Sequence, residues 1–381
     1  MKVCLATMNS VWWEPRVRKQ ISSYLHDKDI DFVCVGFKDQ RYDEKKISEI
    51  PCEILIQSID EKYAFQQRSF FKKMKRDAMT FYAIRDAIVS EAPDIIHAND
   101  LKALVPAYAA SKKLGCKLIY DSFEINVENY TGKRQSIMSA LSEKIERRIV
   151  RRVDLMISVS NAAAEYFEHK YNVIKPMVIT NCIRAEDIVE ECHDKTQFFE
   201  ILNHGQFYDG RGYDIMAEAN RLLKSYPDIH LAIRGFGKLE PILREIVSKN
   251  ENSDNFHFYP KVNVDELIPL ASKSHVGVAI TEPICLNFKL SVSNKLFEYA
   301  AAGLPVIMSN IPEHRYLNEK YNFGIIIPKD TPEAFAEAAI KLYTDKELYK
   351  QLAENAYKMS FELNWEKEFE KLINAEKAML N

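Results

Sequence analysis

The chain has 381 residues, 47% of them hydrophobic and 28% charged, with a formal net charge of −3. That is the composition of a globular protein of two or three ordinary domains, not of a disordered or fibrous one, and no nucleic-acid partner is expected. No apolar run approaches the roughly 20 residues that span a bilayer. MKVCLATM runs straight into a polar and aromatic loop without the apolar core of a signal peptide, which predicts a cytoplasmic protein. Seven cysteines are scattered along the chain and read as reduced, buried thiols. Cys192 beside His193 has no second half of a metal site nearby, so no metal is expected.

From Met1 to Thr180, strand-like and helix-like segments alternate: a strand at Val3 to Ala6, a helix from Pro15, strands at Asp31 to Phe37 and Glu53 to Gln57, then a helix through Ala78 to Ala92. A strand at Ile95 to His97 is followed by a helix from Leu101, a strand at Leu118 to Asp121, a helix over Gln135 to Arg152, and further strands at Leu155 and Met177. Such alternation predicts a doubly wound parallel sheet. The loop after the first strand contains no glycine, which argues against a dinucleotide cofactor. Trp12, Trp13, Glu14 and Arg16 crowd the carboxyl end of that strand instead, with Pro15 placed to open the helix. This half carries 29 Lys and Arg against 24 Asp and Glu, whereas the remainder carries 23 against 31. The first half is therefore the one suited to meet an anionic surface. Its run RSFFKKMKR, Arg68 to Arg76, has two readings: a solvated face, or a segment lying on an anionic membrane surface. Asp27-Lys28-Asp29 has the form of a D-x-D metal site but falls at the amino edge of the sheet, opposite the ligand edge.

Asn181 to Gln197 is polar and acidic and reads as a linker. A second alternating series starts at Phe199, with a strand to His204, the loop GQFYDGRG, a helix from Tyr213 to Leu223, a strand at Ile229 to Arg234 and the loop GFGK. The stretch Ser293 to Asn310, SNKLFEYAAAGLPVIMSN, organises this half. Leu296, Phe297, Ala300 and Ala301 recur at helical spacing, Gly303 stops the helix, and Leu304 to Ile307 begins a buried strand. The preceding strand at His275 to Thr281 puts the helix start at the carboxyl end of a parallel sheet, where ligands bind. Free N–H groups at Ser293 and Asn294, the helix dipole and the charge of Lys295 suit a phosphate. Glu298, one turn on, suits the two hydroxyl donors of a ribose. Together they describe a site for a nucleotide diphosphate.

SNKLFEYAAAGLPVI resembles the donor-site signature of the retaining family-four glycosyltransferases of GT-B fold, the glycosyl transferases group 1. The resemblance implies an α/β GT-B architecture, two doubly wound Rossmann-like domains facing a central cleft. Residues 1–180 would bind the acceptor, 181–198 link, 199–362 bind the nucleotide sugar, and 363–381 form a helix crossing back to the first domain. Glu298 matches the glutamate that binds the donor ribose. GQFYDGRG resembles the glycine loop facing the donor pyrophosphate, keeping Gly205 and Arg211 but holding Gln206 where an arginine is common. RGFGK resembles the loop near the base and phosphates and adds Gly235, Phe236 and Lys238; Ser293, Asn294, Lys295 and Leu296 complete the implied donor set.

On the acceptor side, EPRVRK is similar to the family's D-x-R-V-R segment, implying Trp13, Glu14 and Arg16, and YDSFEINVE to its Y-D-S-H-E stretch, implying Asp121 and Glu124. DIIHANDL resembles H-A-H-D-L with Asn99 in place of the histidine that touches the transferred sugar, so His97 and Asn99 join Arg211 and Lys295 as catalytic candidates. The first glutamate of the family's E-x7-E pair falls at Leu290, leaving Asn287, Ser291 and Ser293 to hold sugar hydroxyls. The implied activity is retaining transfer of a hexose-type sugar from a nucleotide diphosphate sugar to a glycan or lipid-linked acceptor, in surface polysaccharide or glycoconjugate synthesis. The nucleotide sugar is a co-substrate, no metal or other cofactor is expected, and the protein would sit in the cytoplasm or peripherally at the inner face of the membrane. Two other classes share the pattern: a GT-B nucleotide-sugar epimerase and a non-catalytic nucleotide-sugar-binding scaffold.

Overall fold

The structure, a computed structural model, describes residues 1–10, 14–37, 56–58, 70–125, 133–190 and 195–381. Its first half runs β1 (Lys2–Ser10), α1 (Pro15–His26), β2 (Asp31–Phe37), β3 (Ile56–Ser58), α2 (Phe70–Glu91), β4 (Ile95–Asn99), α3 (Asp100–Leu114), β5 (Lys117–Ser122), α4 (Lys133–Val150), β6 (Leu155–Ser158), α5 (Asn161–Tyr171) and β7 (Met177–Val178). The second runs β8 (Phe199–Gln206), α6 (Tyr213–Ala219), β9 (Ile229–Phe236), α7 (Glu240–Ser248), β10 (Phe256–Pro260), α8 (Val264–Ala271), β11 (Val276–Ala279), α9 (Leu286–Leu290) and α10 (Asn294–Ala301). It closes with β12 (Val306–Ser309), α11 (Pro312–Tyr321), β13 (Gly324–Ile327), α12 (Pro332–Thr344), α13 (Lys346–Glu362) and α14 (Trp365–Leu380).

The chain divides into two units, Met1–Thr180 with Glu368–Asn381, and Asn181–Lys367. In the first, seven parallel strands lie in the order β3-β2-β1-β4-β5-β6-β7. In the second, six parallel strands lie in the order β10-β9-β8-β11-β12-β13. Each sheet reverses its winding once, between β1 and β4 and between β8 and β11. The crevice outside the carboxyl ends of those strands is where such sheets bind ligands. Strands buried on both faces explain the unbroken apolar runs of the sequence; β4, β11 and β12 are buried at every position.

Residues 181–198, expected to link the halves, are counted with the second unit, where Cys182 and Ile188 are buried in the core around α10. The helix expected over Tyr213 to Leu223 ends at Ala219 and tightens into a 3₁₀ turn over Asn220–Leu223. Trp12 and Trp13 lie outside the described residues, as do Arg68 and the side chains of 70–76 in the basic run. Helix α14 buries Trp365, Phe369, Leu372 and Ile373 on one face. From Glu368 it belongs to the first unit: Phe369 meets Tyr24 edge-on at 4.9 Å, and Glu368 Oε2 accepts the Thr180 N–H at 2.7 Å. Among the described residues, no helix is long and apolar enough to cross a membrane.

The stretch that organises the second unit folds as the pattern requires. Leu296, Phe297, Ala300 and Ala301 turn inward, and Gly303 at φ +70 lets the chain leave the helix and enter β12. Tyr299 is also fully buried, because Gly277 on β11 leaves room for its ring. A Cβ at Gly277 would stand 2.2 Å from Tyr299 Cγ. Gly277→Ala is therefore expected to destabilise the second unit by about 1–3 kcal/mol through overpacking, lowering its midpoint by about 2–4 °C for each kcal/mol in a thermal melt.

Candidate functional site

The second unit gathers cations at the carboxyl edge of its sheet. Helix α10 begins at Asn294 with Ser293 as N-cap, and Ser293 makes no side-chain capping bond. Lys295 reaches back to β8: its Nζ donates to Asn203 Oδ1 at 2.6 Å, and lies 3.4 Å from the Tyr213 hydroxyl and 4.8 Å from that ring's centroid. Asn203 is held in this orientation because its Nδ2 donates to the Arg211 carbonyl at 3.1 Å. All these partners are uncharged. Desolvation, then the charge of Arg211, pushes the Lys295 ammonium down to about 7, with Glu298 pulling the other way.

Arg211 lies with its guanidinium carbon 4.0 Å from the centroid of the Phe288 ring. Among the described residues it makes no side-chain hydrogen bond or ion pair, and burial lowers its pKa. A desolvated cation without an ion-pair partner is costly to keep, and an anion beside Arg211 and Lys295 would lower that cost.

Glu298 stands one turn beyond Lys295, partly exposed, with Oε2 2.7 Å from His204 Nε2. A carboxylate only accepts, so Nε2 carries the hydrogen, and the buried Nδ1 has no hydrogen-bond partner among the described residues. The His204 ring is stacked on Tyr299 at 4.4 Å, and its backbone N–H donates to the Tyr299 hydroxyl at 3.0 Å. A cavity of about 510 Å³ opens beside Glu298, lined also by Ile183, Ile188, Val264, Asp265 and Leu267.

Two glycines let backbone come close here. Gly205 and Gly235 face each other across β8 and β9, and a Cβ on Gly235, at φ +146, would sit 1.8 Å from the Gly205 carbonyl oxygen. Phe236, 47% exposed, ends β9 with Lys261 over its ring, and Lys238 is exposed just beyond it. Arg234 stacks on Tyr259, its guanidinium carbon 4.8 Å from the ring centroid. Leu296 is a correction: its side chain is wholly buried in the core and its N–H is bonded to the Ser293 carbonyl, so it supplies packing and no ligand contact.

In the first unit the expected residues turn to one another. Arg16 Nε donates to Asp121 Oδ2 at 2.8 Å and its Nη1 to the Ile179 carbonyl at 2.8 Å. Gln20 Nε2 donates to the same carboxylate oxygen at 2.8 Å, and His97 Nε2 lies 3.4 Å from it. On the other side of the imidazole, Tyr24 hydroxyl lies 3.1 Å from Nδ1 and donates to Glu376 Oε1 at 2.5 Å. Burial opposes a charge on His97, but the Asp121 and Glu376 carboxylates prevail and raise its pKa. Burial likewise opposes the Asp121 anion, and Arg16 and His97 overcome it, drawing the carboxyl down to about 2.

Arg16, His97, Asn99 and Asp121 are all at most 1% exposed. Arg16 and Asp121, expected as acceptor contacts, thus form a buried pair that holds β5 to α1, and His97 is enclosed between carboxylates. Glu14 is only half-buried; partial burial and then Glu124 push its carboxyl up, and Glu124 is pushed up by desolvation and then Asp100. Trp13 lies outside the described residues.

Sequence reasoning missed Asn203, His204 and Tyr213 in the second unit and Gln20, Tyr24 and Glu376 in the first. Asn203 and His204 had a signal, two polar residues ending an apolar strand.

Comparison with known proteins gives matches along most of the chain. The family model described as glycosyl transferases group 1 matches residues 185–359, and that described as glycosyltransferase family 4 matches residues 16–187. An uncharacterized glycosyltransferase of Haemophilus influenzae is 24% identical over 243 residues, 63% of this chain. The matched part spans 64% of that relative's length, under two thirds of it. A glycosyltransferase from Rickettsia africae superposes with a TM-score of 0.78 at 15% identity, covering 100% of this chain and 98% of the other. Anabaena HepE, solved in complex with UDP-glucose, superposes with a TM-score of 0.71 at 15% identity over 99% of this chain and 100% of its own. At such identities the likeness is one of fold, the GT-B fold expected from the sequence.

Two tests follow from the charges. A diphosphate beside Lys295 restores its charged form, so binding at about pH 8 takes up a proton. Titration calorimetry in two buffers of different ionisation enthalpy reads that uptake. Affinity is expected to fall as pH climbs above about 7, and Lys295→Met to remove the slope. In the first unit the two linkages have opposite signs. His97, raised, stabilises the fold below its unfolded pKa, and this is lost as pH rises through the raised value. Asp121, lowered, stabilises above its unfolded pKa of about 3.9 by on the order of 2 kcal/mol, lost as pH falls toward about 2. Thermal melts across pH are expected to show both limbs, and Asp121→Asn to flatten the acid one.

Proposed function

Because this chain belongs to the glycosyl transferases group 1, the two family matches together running from residue 16 to residue 359, we propose that it is a retaining hexosyltransferase that uses a nucleotide diphosphate sugar. The carrying observation is the buried pair Arg211 and Lys295, neither in an ion pair among the described residues, beside the N-terminus of α10 with its uncapped Ser293 and one turn from Glu298. The diphosphate would take Arg211 in a bidentate contact, Lys295 as a point charge and the helix N-terminus as a dipole. Glu298, steadied by His204, would accept from the ribose hydroxyls, and the cavity beside it falls in the size range of ligand pockets, ~300–1,000 Å³.

Transfer requires the anomeric carbon to become cationic while a nucleoside diphosphate departs. Arg211 and Lys295 would stabilise the negative charge that grows on the leaving phosphate, already desolvated and in place. Charge neutralisation by these side chains supports transfer without a metal. Same-face attack, with the leaving phosphate taking the acceptor's proton, needs no protein nucleophile and gives retention. The first unit would receive the acceptor, a glycan or lipid-linked sugar in surface polysaccharide or glycoconjugate synthesis, at the edge where Glu14 and Glu124 stand. Basic residues of that unit would hold the enzyme peripherally on an anionic membrane, and Gly205, Gly235, Phe236 and Lys238 would frame the base and phosphates.

Titration calorimetry in chelator with UDP, GDP, ADP, TDP and CDP tests the donor site. One nucleotide is expected to bind at micromolar concentration, and Arg211→Ala and Glu298→Ala each to weaken it about ten- to hundredfold, as expected for charge-assisted hydrogen bonds. Binding of none, or binding that ignores both changes, would sink the assignment.

A further inference from the structure

Asn99 ends β4 and occupies the N-cap of α3, yet its side chain makes no capping bond to that helix. The next residue, Asp100, is held at φ +74, a backbone region that side chains rarely adopt. The absent cap is explained by where the Asn99 amide points. Its Nδ2 donates to Gln20 Oε1 at 2.8 Å, and Gln20 Nε2 donates to Asp121 Oδ2 at 2.8 Å. Asp121 Oδ2 also accepts from Arg16 Nε at 2.8 Å, which keeps it an anion.

A carboxylate offers only acceptors, so Gln20 must turn its NH2 group toward Asp121 and its carbonyl toward Asn99. Asn99 in turn must give its NH2 group to Gln20. What remains is Asn99 Oδ1, on a side chain with no solvent exposure and with no hydrogen-bond partner among the described residues. A buried carbonyl oxygen without a partner is a costly thing to keep unless a ligand supplies the hydrogen.

We propose that Gln20 is a positioning residue that passes the polarity of Asp121 to Asn99, so that Asn99 presents a carbonyl oxygen, and not an amide N–H, to a hydroxyl group of a sugar substrate. The inference rests on the glycosyl-transfer reading above. It excludes a sugar ring oxygen, an ether or a carbonyl at this point, since two acceptors repel. The hydroxyl belongs either to the donor sugar or to the acceptor sugar; the chemistry is the same and the experiment separates them.

The full-length chain is titrated with UDP, UDP-glucose, GDP and GDP-mannose, and the affinity gained from the sugar is recorded for wild type, Asn99→Leu, Gln20→Leu and the double variant. In the second arm, nucleotide release from the donor that binds is followed with a panel of p-nitrophenyl glycosides as acceptors. Each single variant is expected to lose about three- to tenfold, the worth of one hydrogen bond, either in the sugar's affinity gain or in acceptor KM. The affinity for the bare nucleotide should stay unchanged. The double variant should be no worse than Asn99→Leu, because Gln20 acts through Asn99. Loss in the first arm names the donor sugar and loss in the second names the acceptor.

Variants that retain nucleotide binding but change neither arm overturn the proposal, as do additive effects of the two substitutions. If the variants fail to fold, wild type alone decides with deoxyfluoro analogues of the sugar that acts. A fluorine accepts but cannot donate, so one position should lose three- to tenfold, and equal tolerance at every position overturns the proposal. Failure of UDP, GDP, ADP, TDP and CDP alike to bind wild type overturns the donor reading of the second unit and this proposal with it, an outcome distinct from loss of the sugar's contribution alone.

Discussion

An arginine, an imidazole and two carboxylates are closed together in the first unit: Arg16 and His97 against Asp121 and Glu376, none more than 1% exposed. Neither Arg16 nor Asp121 is tolerable there alone, since leaving one charge of a buried pair unpaired costs about 3–5 kcal/mol. Their mutual neutralisation is what lets α1, β4, β5 and α14 meet with polar residues at the junction. It also fixes orientations. Asp121 is held as an anion, Gln20 is oriented by it, and the Asn99 amide follows.

The two units share their strand order, the added β7 of the first apart, but treat charge in opposite ways. In the first, positive groups at the carboxyl edge are matched inside the protein. In the second, Arg211 has an aromatic ring for company and Lys295 has an amide and a phenol. The same architecture thus yields an internally paired polar cluster in one unit and a desolvated positive site in the other. That contrast, more than net charge, is what supports a diphosphate site in the second unit.

Much of this was legible in the sequence. The alternation of strand and helix predicted both sheets, and the stretch from Ser293 to Asn310 folds as its apolar spacing and Gly303 require. Arg211, Lys295 and Glu298 were recognisable because each sits at a fixed offset from a turn or helix start, a local pattern. Leu296 was misjudged because adjacency to a site residue says nothing about the direction of a helical side chain; one step along the helix turns it into the core. Arg16 and Asp121 announced polarity but not their mutual pairing, which depends on residues 105 positions apart. Glu376 is 352 positions from Tyr24, and no window of sequence relates them.

The seam at Glu368 also orders the events of synthesis. A ribosome delivers Asn181–Lys367, every residue of the second unit, before it delivers the last part of the first, Glu368–Asn381. Until then the nascent first sheet holds His97 and Tyr24 without Glu376, and Thr180 without Glu368. Domains usually mature from the amino terminus onward, but here the earlier-born unit is the later one to be completed. Its polar centre is sealed only by turns of chain that leave the ribosome after the whole of the second unit.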